Sequence, residues 1–266
     1  MAERGDGTVG KALEVLDLVA ARGHPVRFSE LLADAPFPKA TLYRFLQTLV
    51  SQGMLAYDSD YGTYTLGLRL VRLAHAAWAS SSLAPIARPY LDTLSARLRE
   101  TVHLAQLDHG QVLYVDKRNA HRPLPMFSDA GKVGPAYCTG VGKAMLAYLP
   151  EAELDQILPQ QSFHRFTERT FADAAVLRAE LGVIRARGHA FDDEEHEPGI
   201  ICVAVPVLTR AGRVLGALSV TSSTERTDLA GLAALAPDLK DTAAGIAAAT
   251  ENWRFPEEAQ LREAGE

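Results

Sequence analysis

The sequence predicts an α+β protein in which a winged helix-turn-helix is followed by a linker helix and an antiparallel sheet flanked by helices. Three observations lead to this class. Three short helical patterns and a hairpin occupy the first 66 residues, and a serine-rich break follows at 80–82. Beyond the break, strand and helix patterns come in the order β-β-α-α-α-β-β-β-α.

Each of the first three helices has an apolar stripe and a recognisable end. The first begins near Val9 and ends at Gly23 and Pro25, which are typical helix stops. The second is short, and Ser29 is its predicted N-cap. The third runs from about Lys39 to Gln52, where Gly53 provides the C-terminal stop.

A hairpin and one further helix complete the amino-terminal part. Two runs with β-branched and aromatic residues surround a turn at 59–62, which predicts a hairpin in the position of a wing. The run "LGLRLVRLAHAAWASSS" then has apolar residues at helical spacing and leads into the serine-rich break. The predicted limits are 1–66 for the winged helix-turn-helix and 67–82 for the linker helix.

The second domain is predicted at 83–254, with a flexible polar tail at 255–266. After an initial helix, two strands surround a turn at His109 and Gly110, and the run "TGVGKAMLAYL" predicts a helix. The remaining predicted elements are a helix near 171–187, strands near 189–193, 201–208 and 213–221, and one long helix near 228–252.

Composition excludes several classes of protein. With 47% hydrophobic and 23% charged residues, the 266-residue chain has the make-up of a globular protein. It has no apolar run of about 20 residues, and its first residues lack the apolar core of a secretory signal. Cys138 and Cys202 are too few for a disulfide framework. We therefore expect a cytoplasmic protein without a membrane span.

The third helix carries an unusual polar face. Its apolar stripe is Leu42, Phe45, Leu46, Leu49 and Val50, and no acid lies opposite it. Residues 1–80 have no net charge although the whole chain has a net charge of −6, so a local basic face is possible there. Arginine and glutamine read base edges, whereas hydroxyl groups bind phosphates. The predicted DNA-contacting residues are Lys39, Ala40, Thr41, Tyr43, Arg44, Gln47 and Thr48.

The chain resembles the IclR family of bacterial transcription regulators. The matching runs include "GKALEVLDLVAARG", "FPKATLYRFLQTLVSQGML", "YCTGVGKAMLAYL", "RGHAFDDEEHEPGIICVAVPV" and "GRVLGALSVT". They follow the family order from about Val9 to Asn252, and 187–221 is the most specific stretch. Where the common family phrase has a serine in the third helix, this chain has Ala40.

The resemblance implies a GAF-like effector-binding domain and a repressor, a role common in the family. It also implies a homodimer, which can pair into a tetramer and bind a palindromic operator in double-stranded DNA, with recognition helices about one helical turn apart. The effector would be a small organic or aromatic carboxylate. Matched residue by residue, its implied site is Gly140, Val141, Asp192, Cys202, Ser219 and Thr221.

The residues support part of this site independently of the resemblance. Ser219 and Thr221 are two apart on one strand and therefore share a face. Free amide groups at the start of a helix, at Gly140 and Val141, can bind a carboxylate. His121 and Arg122 lie in a loop that is either near the mouth of the site or simply on the surface.

Other readings of the same motifs are weaker or fail. A phosphate-binding loop fails because Tyr137 and Ala144 stand where that motif needs glycine and serine or threonine. The run "DDEEHE" at 192–197 has no spacing typical of a metal site and suits a solvated acidic loop. The sequence predicts no catalytic residue, cofactor or metal. A small-molecule enzyme and a protein-binding adaptor remain the alternative functions.

Overall fold

The computed structural model describes residues 7–81 and 83–250. The chain divides into two compact units between Ser80 and Ser81. In the described ranges, no helix combines the length and apolarity that crossing a membrane requires. The predicted tail at 255–266 and Ser82 lie outside the described residues, and the predicted domain limits stay predictions.

The amino-terminal unit is a winged helix-turn-helix. Its first three helices and both strands of the wing contribute to one buried core, which includes Leu16, Leu31, Leu46, Leu55 and Tyr64. The elements are α1 (Thr8–Arg22), β1 (Val26–Arg27), α2 (Phe28–Asp34), α3 (Lys39–Ser51), β2 (Leu55–Asp58) and β3 (Thr63–Leu66), with the antiparallel strand order β1-β3-β2.

Local signals for these helices are confirmed with one exception. Gly23 ends α1 in the left-handed conformation with φ of 67°, as its position after the apolar stripe predicts. The prediction that Ser29 is the N-cap of α2 was wrong. The helix begins at Phe28, its N-cap is Arg27, and no side chain caps it. Ser29 therefore lies inside the first turn. The two-residue strand β1 is too short to give a periodic pattern.

The linker helix α4 (Leu68–Ser81) begins directly after the wing. Arg69 anchors its first turn, because its guanidinium donates to the Gln52 carbonyl at 2.9 Å and to the Gln52 side chain at 3.1 Å. Three of its apolar side chains are exposed in the single chain: Leu68 (82% exposed), Val71 (64%) and Leu73 (49%). Leu68 and Val71 are three residues apart and share one face of the helix, whereas Leu73 lies on another face.

The carboxy-terminal unit is built on a six-stranded antiparallel sheet in the order β6-β5-β4-β9-β8-β7. Helices precede, interrupt and follow the strands. In chain order the elements are α5 (Ala84–Leu98), β4 (Thr101–Asp108), β5 (Gln111–Arg118), β6 (Val133–Pro135), α6 (Gly140–Leu146), α7 (Glu151–Ile157), α8 (Ala174–Arg187), β7 (Ala190–Asp193), β8 (Ile200–Leu208), β9 (Val214–Ser223), α9 (Leu229–Ala233) and α10 (Ala236–Ala249).

Both faces of this sheet are buried. Small residues on one face, Ala105, Ala190, Ala204 and Ala217, pack into a cluster with residues of α6, α7 and α8. The alternate residues of β8 and β9 are larger and equally buried, and α5 and α10 pack on each other and on the sheet. The predicted class, an α+β fold with an antiparallel sheet flanked by helices, is confirmed.

Two features of this unit differ from the prediction. The single helix expected near 228–252 is two helices, because α10 starts afresh with Pro237 in its first turn. Asp228 caps the preceding α9 by accepting a hydrogen bond from the Gly231 amide. Residues 251–252 lie outside the described residues. The short strand β6 was not predicted, and it pairs with β5 at the sheet edge.

Candidate functional site

The acid-free face of α3 is presented to solvent. Lys39, Ala40, Tyr43, Arg44, Gln47 and Thr48 are exposed and Thr41 is half-buried. Leu42, Phe45, Leu46 and Leu49 are buried on the opposite side, as the apolar stripe predicts. Val50, which was expected in the stripe, is half-buried. The core therefore fixes which side of α3 is free to contact a partner.

Neighbouring elements hold several side chains of this face. The Tyr43 ring meets Phe28 of α2 edge-on at 6.2 Å, and the Thr48 hydroxyl donates to the Arg44 carbonyl at 2.9 Å. Burial raises the pKa of the Tyr64 hydroxyl group in the wing overall, and the Gln47 side chain lies close enough to it to lower that pKa slightly. Lys39 and Arg44 supply the positive charge of this face, and Tyr64 of the wing is the neighbour of Gln47 that the sequence did not reveal.

The tip of the wing is acidic. One Asp58 carboxylate oxygen accepts hydrogen bonds from the amides of Asp60 and Tyr61, at 2.9 and 3.2 Å, and so closes the turn. Tyr61 beside them is 72% exposed. Two carboxylates repel phosphates, so Tyr61 is the side chain of this tip that is suited to touch nucleic acid.

In the second unit, the register of the sheet brings distant polar residues together. Asp192 lies opposite Cys202, and Cys202 lies opposite Thr221, while Ser219 lies opposite both Ala204 and His103. Directly opposite residues share a face of an antiparallel sheet. The four side chains implied by resemblance on strands β7, β8 and β9 therefore meet on one face, and all four are buried.

The start of α6 is seated against this face. A Cβ added at Gly140 would lie 2.4 Å from Cys202 Sγ and 3.4 Å from the Asp192 amide nitrogen, so only glycine fits. No side chain caps the helix, because the Thr139 hydroxyl donates instead to the Pro135 carbonyl at 2.7 Å. Gly140 and Val141 are thus brought beside Asp192 and Cys202.

His103 joins this cluster, although sequence reasoning missed it. Its Nδ1 is 3.3 Å from Thr221 Oγ1 and 3.4 Å from Ser219 Oγ, and its Nε2 is 2.9 Å from Ser128 Oγ. A single histidine within a strand has no spacing that marks it as functional. The available signal was its place in β4, one strand from Ser219, which requires the strand order.

A buried ion pair between α6 and the segment after β7 lies next to this cluster. Lys143, 1% exposed, pairs with Glu195, and its ammonium also lies 4.6 Å from the Phe171 ring centre. The Glu195 amide donates to an Asp192 carboxylate oxygen at 2.8 Å. Lys143 is therefore held by an internal acid, which agrees with the failure of the phosphate-loop reading.

Burial, together with the nearby Glu195 carboxylate, raises the pKa of Asp192 to about 8. The ordinary value in an unfolded chain is about 3.9. The folded protein therefore favours the protonated form, so the stability linked to this group is complete below about pH 4 and is lost as the pH rises towards about 8.

We expect Asp192→Asn to reduce this loss, because the amide cannot ionise. Urea unfolding at pH 5 and pH 8 measures it: the stability difference between the two pH values should shrink in the variant. Asp193→Asn, in which the replaced side chain pairs with Arg169 at the surface, is the matched control and should keep the wild-type difference. An unchanged difference in Asp192→Asn would contradict the assignment.

The remaining candidates of this region separate into surface and interior. His121 and Arg122 line an exposed cleft of about 380 Å³ together with Arg99, Glu100 and Arg226. Acids of the 192–197 run are engaged elsewhere, since Glu194 accepts from the Gly199 amide and Glu197 from the Phe127 amide. Within residues 7–81 and 83–250, no three His, Cys, Asp or Glu side chains are grouped to hold a metal ion.

Comparison with known proteins assigns both units. The model of the IclR helix-turn-helix domain matches residues 8–59, and that of the bacterial transcriptional regulator IclR C-terminal domain matches 75–248. The transcriptional regulator XynR of Escherichia coli is 34% identical over 90% of this chain and 94% of its own. The transcriptional repressor IclR of Escherichia coli is 28% identical over 81% of this chain and 80% of its own.

A solved structure agrees with the assignment. The crystal structure of the Thermotoga maritima IclR is similar with a TM-score of 0.73 and 30% identity, over 90% of this chain and 97% of that one. The relatives therefore match this chain over both units, that is, over the helix-turn-helix with its exposed helix and over the domain with the buried polar face. The protein belongs to the IclR family of bacterial transcriptional regulators.

Proposed function

We propose that the protein is a transcriptional repressor and that a small organic acid controls its binding to a palindromic operator. The observation that carries the proposal is the exposed, acid-free face of α3, held outward by a winged helix-turn-helix core. A relative that is named a transcriptional repressor supports the direction of control. Because the proposed target is chromosomal DNA, the proposal implies that the protein is cytoplasmic. It gives the protein no catalytic role.

On this proposal, α3 enters the major groove of double-stranded DNA. Arg44 suits a guanine edge or a phosphate, and Gln47 suits an adenine edge. Groups near the start and flank of the helix bind the sugar-phosphate backbone and set its position. The proposed contacts are Lys39, Ala40, Thr41, Tyr43, Arg44, Gln47 and Thr48, of which Thr41 is half-buried and the others are exposed.

The proposal requires a homodimer. Leu68 and Val71 in α4 are exposed, and so are Val9 (74%) and Leu13 (51%) in α1. A second copy would bury these apolar side chains and supply the second recognition helix for the other operator half. Pairing of dimers into a tetramer is part of the same proposal and would extend the contact to two operators or to a longer one.

The proposed effector is a small organic or aromatic carboxylate. It would lie between the start of α6, at Gly140 and Val141, and the side chains of Asp192, Cys202, Ser219 and Thr221. Ser219 and Thr221 now have His103 as their hydrogen-bond partner, and a ligand would exchange or extend these contacts. The effector releases the operator only to the extent that it binds one arrangement of the dimer more tightly than the other.

Arg44→Ala tests the DNA half of the proposal. We expect the affinity for an operator fragment from the protein's own promoter to fall by at least about 1 kcal/mol, because a base or phosphate contact is removed. Thermal stability should be nearly unchanged, since Arg44 is exposed. Fluorescence anisotropy at two salt concentrations measures affinity and the charge contribution together.

Arg122→Ala is the matched control, because it removes an exposed arginine from the other unit. Its operator affinity should equal that of the wild type. Equal affinity of Arg44→Ala and the wild type would remove Arg44 from the proposed contacts. An absence of preference for the promoter fragment over random DNA would contradict the regulator itself and favour an enzyme or an adaptor.

A further inference from the structure

His103 occupies the centre of the buried polar face. It lies on β4, next to β9 in the sheet and two strands from β8, where Cys202 meets α6. The ring is 1% exposed, and hydroxyl groups surround both of its nitrogens: those of Ser219 and Thr221 at Nδ1, and that of Ser128 at Nε2. The Tyr114 ring packs edge-on against it at 5.4 Å.

The imidazole is neutral. Burial, and after it the charge of Lys117, lowers the pKa of His103 to about 3. The charged groups that face it are Lys117 on β5, Asp129 in the segment after β5, and Glu197 before β8. Neutral imidazole carries one N–H donor and one acceptor nitrogen, so it pairs well with a hydroxyl group and does not neutralise an anion.

Ser128 belongs to the segment between β5 and β6, which covers this end of the site. The Lys117 ammonium donates to the Ser128 carbonyl at 2.7 Å and to the Asp129 carboxylate at 2.8 Å. Its charge is therefore already matched by Asp129. Lys117 therefore does not offer an unpaired charge to a second carboxylate brought beside His103, and a buried unpaired charge is costly.

Building on the proposed function, we propose that His103 determines effector specificity by binding a hydroxyl group at the end of the effector opposite its carboxylate. The hydroxyl group takes the place of the Ser128 hydroxyl at Nε2. The carboxylate lies at the α6 end, and the effector bridges the roughly 10 Å, or two strand spacings, between β4 and β8 with a hydrogen bond at each of its ends. The effector class is therefore the hydroxy-monocarboxylates whose two polar groups are several bonds apart, and dicarboxylates are excluded.

Two matched series of acids test the proposal by calorimetric titration of the full chain. One is valerate, 5-hydroxyvalerate and glutarate; the other is benzoate, 4-hydroxybenzoate and terephthalate. In at least one series we expect the hydroxy acid to bind at least about tenfold more tightly than the other two members, because an unpaired buried nitrogen or charge disfavours them. A preference for the unsubstituted acid or the dicarboxylate overturns the proposal.

Variants assign the preference to His103. His103→Phe keeps a ring but removes both nitrogens, and it should reduce the preference to less than about threefold while the unsubstituted acid still binds. His103→Gln keeps a donor and an acceptor and should retain part of the preference. Ser128→Ala removes the competing hydroxyl and should tighten the hydroxy acid at least about threefold without affecting the unsubstituted one. An unchanged preference in all three variants overturns the proposal.

The outcomes separate this inference from the proposed function. If neither series binds to the wild type while the same preparation prefers its promoter fragment over random DNA, the effector class is wrong and the regulator stands. If promoter preference is also absent, the proposed function fails with it. Should His103→Phe not fold, the Gln and Ser128→Ala variants decide the result.

Discussion

Gly140→Ala is expected to abolish the effector response and to lower the free energy of unfolding by about 1–3 kcal/mol, the usual range for overpacking a core. The added Cβ would lie 2.4 Å from Cys202 Sγ, so α6 must move away from β8. That movement separates Gly140 and Val141 from Asp192, and the proposed carboxylate site is lost. Urea unfolding and effector-dependent release of an operator fragment measure the two effects.

Two further variants isolate the cause. Gly182→Ala is the matched control, since a Cβ in α8 would meet nothing closer than Arg185 Nη2 at 4.0 Å; it should be neutral or stabilising, as alanine favours a helix. Adding Cys202→Ala to Gly140→Ala removes the clashing sulfur and should restore part of the stability. Independent, additive effects of the two substitutions would show that the clash is not the cause.

Lys143→Met is expected to cost about 3–5 kcal/mol, the range measured when one partner of a buried ion pair is removed. Glu195 would be left buried without its cation, and its Oε2 already has no hydrogen-bond partner among the described residues. Burial raises the pKa of Glu195 even with Lys143 present. In the variant the carboxyl group should take up a proton, so the destabilisation should be smallest below about pH 4 and grow as the pH rises.

Denaturant unfolding at pH 5 and pH 8 tests this expectation. Arg178→Met is the matched control, because Arg178 bridges Glu151 and Asp155 at the surface and such pairs contribute at most about 1 kcal/mol. Adding Glu195→Gln to Lys143→Met removes the stranded charge and should recover part of the loss at pH 8. Equal losses in Lys143→Met and Arg178→Met would contradict a structural role for the buried pair.

The amino-terminal unit was predictable because its signals are local. The stripe from Leu42 to Leu49 fixes the buried side of α3, and Gly53 and the turn before Gly62 mark where helix and wing strands end. The prediction failed at Ser29 because it used the local signal alone. Serine is a good capping residue, but the chain passes directly from β1 into α2, so the helix begins before Ser29 and Arg27 takes the N-cap position. Two-residue strands leave no period from which they can be read.

The second site could be predicted only in part. Ser219 and Thr221 share a strand, so their common face follows from periodicity. Gly140 was marked by the predicted start of a helix as well as by the resemblance, whereas Asp192 and Cys202 came from the resemblance alone, since nothing local connects them. His103 and the Lys143–Glu195 pair were missed because their partners are remote in the chain; the ion pair joins residues 52 apart. Only the strand order reveals such contacts.

The pairing of β4 with β9 affects the order in which the two functional surfaces form during synthesis. His103 and Ser219 are 116 residues apart, yet they lie opposite each other at the centre of the sheet. Closing so long a loop is entropically unfavourable and slow. A chain still emerging from the ribosome has α3 long before it has β9, so its nucleic-acid surface is synthesised well ahead of any capacity to sense a metabolite.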